Sequence, residues 1–160
     1  MLRRIVFGFV VGTLSAATAF AQAAPATPAA PAAAAQAAPT ARTFASDGGM
    51  VLNFIKPDKT ADFESVVGKL KEALGKSEKP ERKQQAASWK VFKSPDPAAG
   101  GNVLYVFMID PSVKGADYTV STILAEAFPA EVQALYKQYA EAYASGQNFV
   151  NLALVSDLAK

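Results

Sequence analysis

From residue 48 to residue 155 the apolar positions change their period several times, and each change marks an element. In "GGMVLNFIKP" (48–57) an apolar run is opened by two glycines and closed by Pro57, the outline of a strand. In "TADFESVVGKLKEALGKS" (60–77), Phe63, Val66, Val67, Leu70 and Leu74 recur at three- and four-residue steps and line one face of a helix. Thr60 is placed to cap that helix, Asp62 and Glu64 suit its positive end, and Gly75 suits its exit. "ASWKVFK" (87–93) predicts a second strand, "SPDPAAGGN" (94–102) a turn, and "NVLYVFMID" (102–110) a third strand that closes a hairpin. "GADYTVSTILAEAF" (115–128) contains a short helix that stops before Pro129. "PAEVQALYKQYAEAYASG" (129–146) predicts a longer one, striped by Val132, Leu135, Tyr136, Tyr139 and Tyr143 and stopped by Gly146. "NFVNLALV" (148–155) is the last strand.

The order strand, helix, strand, strand, helix, strand, joined by two right-handed crossovers, predicts a ferredoxin-like α+β domain. Its antiparallel sheet takes the order 4-1-3-2, with the main helices on one face and an extra short helix before the second of them. Strands one and three are then central and most apolar, while Lys90 and Lys93 mark strand two as an edge. The third strand poses a problem. Val103, Tyr105, Phe107 and Ile109 fill one of its faces, and Leu104, Val106 and Met108 fill the other. Helices cover one side of such a sheet only. The other side, on the order of 400 Å² before side-chain relief, rivals the largest apolar patch of an ordinary monomer. A second copy packed on it about a two-fold axis is the simplest cover, so the pattern predicts a homodimer.

The N-terminal third reads differently. Residues 1–21 carry Arg3 and Arg4, a short apolar core from Ile5 to Leu14, and Ala19-Phe20-Ala21, the pattern of a cleaved signal peptide. That core is about half the roughly 20 residues a spanning helix needs, so no stable membrane insertion is expected after cleavage. Export to the periplasm or the extracellular space follows. Residues 22–42 are alanine interrupted by Pro25, Pro28, Pro31 and Pro39, a disordered linker with nothing large to bury, which leaves 43–160 as the folded domain. The formal charge of +2 comes from the two signal-peptide arginines: without them 14 basic residues face 14 acidic ones. A neutral domain lacks the basic excess that phosphate neutralisation requires, so nucleic acid is not an expected partner. The basic stretch "KPERKQQ" is interspersed with Glu78 and Glu81 and reads as a solvated loop or helix end.

The chain has no Cys and no His. Disulfides, thiolate or imidazole catalysis and Cys- or His-ligated metals are thereby excluded, and no cofactor or metal is expected. What remains for a site is Asn53 on strand one, Trp89 on strand two, Tyr105 on strand three and Asn151 on strand four. With Met50, Leu52 and Phe54 under the helices, Asn53 and Asn151 face the cavity of the dimer, where they hold a ligand or bond each other. Trp89 reads as a packing residue near the sheet edge. Asp110, before Pro111, caps the following turn.

"NFIKPDKTADFESVVGKLKEAL" leading into "SWKVFKSPDP" and "NVLYVFMIDP" resembles the dimeric α/β-barrel superfamily, including its antibiotic-biosynthesis-monooxygenase-like members. "RKQQAASWKVFKS" and "ADYTVSTILAEAFP" resemble a narrower group of exported bacterial proteins whose function is not established. The superfamily resemblance implies a pocket between sheet and helices and, in its enzymes, oxygenation without a metal, using an Asn on the first strand with a Trp near the third. Asn53 matches that Asn; the third strand has no Trp. The reading is a non-catalytic module binding a small apolar or aromatic ligand or a protein partner. Its alternative is a cofactor-independent monooxygenase acting on an aromatic or quinol-like substrate.

Overall fold

The computed structural model describes residues 41–158. The signal-peptide and most of the linker expectations lie outside these residues. Four strands, β1 (Gly48–Ile55), β2 (Trp89–Pro97), β3 (Val103–Ile109) and β4 (Tyr143–Leu152), form one antiparallel sheet in the order β2-β3-β1-β4, the expected 4-1-3-2. Four helices accompany them: α1 (Thr60–Lys76), α2 (Pro80–Ser88), the short α3 (Val120–Ala127) and α4 (Val132–Ala142). None of the helices among the described residues is long and apolar enough to cross a membrane.

The core lies between the sheet and the helices. Phe63, Val66, Leu70 and Leu74 of α1 meet Ile123 and Leu124 of α3, Leu135 and Tyr139 of α4, and Val51, Ile55, Tyr105, Phe107 and Ile109 of the sheet. Phe63 is its hub, with ring centroids 4.7 Å from Tyr105, 5.8 Å from Tyr139 and 5.9 Å from Tyr143.

The covered side of β1 reverses expectation. Gly49, Val51, Asn53 and Ile55 are buried beneath the helices, while Met50, Leu52 and Phe54 point to the open side. Part of the reason lies at Gly49. Phe44 presses against it so closely that a Cβ there would stand 2.3 Å from the ring. The same ring stacks on Phe149 at 5.1 Å and meets Tyr118 edge-on at 5.1 Å, which fixes the side of the sheet that faces inward. The open side is apolar at its centre, with Lys90 and Asn148 nearer its edges. Met50, Leu52 and Phe54 stand beside Leu104, Val106 and Met108 across the β1–β3 ladder, with Phe92 beyond on β2 and Val150 and Leu152 on β4.

Other differences are local. "KPERKQQ" forms the start of α2 and is not simply solvated: Arg82 and Gln85 are buried against α3 and the loop before it. The Arg82 guanidinium meets Glu126 through Nε at 3.2 Å and Nη2 at 3.0 Å, and donates to Gln85 and the Asp117 carbonyl as well. Pairing on this scale is what allows a buried cation. Helix α4 stops at Ala142, so that Gly146 lies within β4, and β2 runs on through the prolines to Pro97. Thr60 is the first residue of α1 and makes no capping bond to a backbone N–H; a single 3-10 turn, Pro57–Lys59, precedes it. Near the start of the described residues the Arg42 N–H donates to Asp117 Oδ1 and Thr119 Oγ1, both at 3.1 Å.

Candidate functional site

The side chains of the four residues singled out in sequence do not converge on one site. Asn151, near the end of β4, is exposed and accepts a 2.9 Å bond from the Ala45 N–H. Trp89 faces the helices, its ring 5.5 Å from Phe107 and 5.4 Å from Tyr118. Its Nε1 is buried with no hydrogen-bond partner among the described residues, which suits a packing role. Tyr105 is the direct β3 neighbour of Asn53, yet its side chain runs away from it and donates through its hydroxyl to Glu64, which also accepts from Lys93 at 2.9 Å. That phenol, followed by the Lys93 ammonium, holds the Glu64 carboxyl below its usual range.

Asn53 is different. It is fully buried, and its amide is saturated. Nδ2 donates to the Val51 and Tyr105 carbonyls at 3.1 and 3.2 Å, while Oδ1 accepts from Tyr143 Oη and Gln147 Nε2, both at 2.8 Å. Two donors and two lone pairs are all a primary amide offers. Asn53 therefore has nothing left for a ligand and acts as the anchor of its neighbours. Gln147 Nε2 also lies 2.9 Å from Tyr139 Oη and 2.8 Å from Tyr143 Oη, so two amides and two phenols converge. The β1–β4 register, Asn53 opposite Gln147, is what brings them together.

Tyr139, Tyr143 and Gln147 of this cluster line a half-open cavity of about 520 Å³, with Asn53 behind them. Val51, Phe107, Tyr118, Tyr136 and Phe149 supply apolar and aromatic walls. Arg42 is the one charged side chain among the described residues that line it. Its guanidinium carbon stands 5.1 Å from the centroid of the Phe149 ring. Burial pushes the Tyr139 hydroxyl up to about 12 and raises that of Tyr143 as well, the latter helped by the neighbouring Tyr139. Both phenols are therefore neutral across the physiological range. The cluster can hold and orient a ligand; it offers no group that exchanges a proton near neutral pH.

Sequence reasoning found Asn53 and placed Tyr139 and Tyr143 on a core stripe, but it passed over Gln147 and Arg42. Gln147 falls at the seam where helix was expected to give way to strand, and Arg42 was assigned to the linker. The signal that could have found Gln147 is parity: counting back from Phe149 on β4 puts it on the buried face. No group of three or more acidic side chains among the described residues is placed to hold a metal ion. Compared with protein-family models, curated proteins and solved structures, the chain matches none of them.

Proposed function

We propose that this chain is an exported, ferredoxin-like module that binds a small apolar or aromatic ligand without transforming it. The observation that carries the reading is the cavity beside Asn53: aromatic walls, a volume within the range of small-molecule sites, and a polar cluster whose groups are neutral. A ring lies against Phe149 and Tyr136, and a hydrogen-bonding substituent reaches the Gln147 amide. The test is a titration of 1-naphthol and indole into the protein, followed by ligand-observed NMR. Binding that disappears in Ala140→Trp, which fills the cavity from its own lining, supports the reading; binding unaffected by that change places the ligand elsewhere.

The module works as a homodimer of the α/β-barrel type, two open faces together. Support comes from the reversed parity of β1, which leaves the larger side chains outside, and from Phe92, 52% exposed in the single chain. The flat sheet supplies on the order of 400 Å² per partner, about half the area of a standard interface. The tail after β4 supplies more, with Leu154 73%, Val155 96% and Leu158 95% exposed. Light scattering returning twice the chain mass agrees with this; one chain mass at tens of micromolar refutes it.

One observation favours the second reading, a cofactor-independent monooxygenase: polar groups do converge at Asn53, where the resembling enzymes carry theirs. Oxygen uptake in the presence of a quinol, lost in Gln147→Leu, would decide for it.

A further inference from the structure

The cavity has an asymmetry that the binding reading leaves unused. Its walls and its polar cluster are neutral, and no acidic side chain among the described residues lines it. The one charged side chain among the described residues that line it is Arg42, which makes no ion pair with any described residue. The Arg42 backbone is pinned by Asp117 and Thr119, so the side chain starts from a fixed point, and its guanidinium rests over Phe149. A guanidinium stacked on an aromatic ring keeps its in-plane N–H groups free to face an anion.

The second polar element lies two residues away on the same strand. Gln147 gives its Nε2 to Asn53 and the phenols, and its Oε1 has no partner among the described residues. Gln147 and Phe149 share one face of β4 and stand about 7 Å apart at ~3.3 Å per residue. That is roughly the span of a benzene ring with substituents at opposite ends. From these features we propose that the cavity selects an aromatic acid: a ring between the tyrosines, a carboxylate on the Arg42 guanidinium, and a hydroxyl or amino group opposite it donating to Gln147 Oε1.

The assignment rests on the reading that the cavity binds an aromatic ligand, and the experiment separates the two. Three probes are titrated into the full chain by calorimetry or NMR: 4-hydroxybenzoate, its methyl ester, and benzoate. The acid binds about tenfold or more tightly than the ester, the scale of one charge-assisted pair. In Arg42→Gln that preference collapses to about onefold while the ester is unaffected; Arg42→Lys, which keeps the charge and loses the fork, recovers part of it. Benzoate binds more weakly than 4-hydroxybenzoate, and the gap closes in Gln147→Met. Acid and ester binding equally, or an acid preference that survives Arg42→Gln, overturns the anionic assignment and leaves the cavity reading standing. Failure of all three probes, together with indole and 1-naphthol, at millimolar concentration overturns both. An unchanged melting temperature in Arg42→Gln shows that any loss is one of recognition.

Discussion

Each central strand of this sheet serves two surfaces, and β1 shows how differently they are made. Met50, Leu52 and Phe54 point one way; Gly49, Val51, Asn53 and Ile55 point the other. By hydrophobicity alone the first set belongs in a core, yet it is the second that the helices cover. The covered face tolerates a glycine because Phe44 needs its space, and an amide because every hydrogen-bonding position of Asn53 is filled. On β1 the open face has no such internal demands and presents Met50, Leu52 and Phe54, while Lys90 of β2 and Asn148 of β4 share that side nearer its edges. Burial by the chain's own helices thus accepts polar groups it can satisfy, whereas the open side of β1 carries apolar side chains alone.

The comparison breaks most visibly at the hub of the covered side. Phe63→Ala removes a ring that touches four other aromatic side chains and should cost about 3–5 kcal/mol in urea unfolding. A cost under about 1 kcal/mol would mean that the core is not organised around α1. Next comes Asn53→Leu. It removes the four hydrogen bonds that Asn53 makes with the Tyr143 hydroxyl, the Gln147 amide and two backbone carbonyls, at about 2–4 kcal/mol despite the added apolar volume. If Asn53→Leu were instead stabilising, the amide cluster would be dispensable to the fold.

The helical layer has its own weak point. Glu126→Ala leaves the buried Arg82 with only the more distant Glu81 carboxylate, 3.9 Å away and half exposed. The cost should be about 1–3 kcal/mol, below that of a fully buried pair because the Glu126 side chain is 31% exposed. Arg82 holds the Glu126 carboxyl below its ordinary 4.5, so this contribution is present above that pH and is lost as pH falls through the depressed folded value. Acid unfolding monitored by circular dichroism should show a shallower slope below pH 4.5 in Glu126→Gln. At the alkaline end the sign inverts. Tyr139, raised from 10.0 to about 12, stabilises the fold below pH 10 and loses that contribution as pH climbs towards 12. Absorbance near 295 nm should show its ionisation delayed until unfolding. On the open face, Leu52→Glu should change folding by about 1 kcal/mol at most while halving the mass seen in sedimentation. Comparable unfolding by Leu52→Glu and Asn53→Leu would erase the distinction between the faces.

The order of the strands and of every helix but α2, the 4-1-3-2 sheet, the α1 stripe and the short α3 were legible in the sequence, because period and turn chemistry are local. Parity was not. Alternation shows that β1 has two faces, but which one is covered depends on Phe44, four residues outside the strand, closing on Gly49. Helix α2 was hidden for a related reason: Arg82 and Gln85 look solvated until Glu126 and the Asp117 carbonyl, more than thirty positions away, supply their partners. Asn53 could be suspected from an amide amid apolar neighbours, whereas its saturation could not, since Tyr143 and Gln147 reach it only through the β1–β4 register.

The central claim is that the ligand face is the covered one, and side-chain NMR during a titration with 1-naphthol tests it most directly. The Gln147 amide and the Val51 methyls should shift together, while the methyls of Leu52, next to Val51 on β1, and of Val106 on β3, both on the opposite side of the sheet, stay in place. Shifts confined to Leu52 and Val106 would contradict the account.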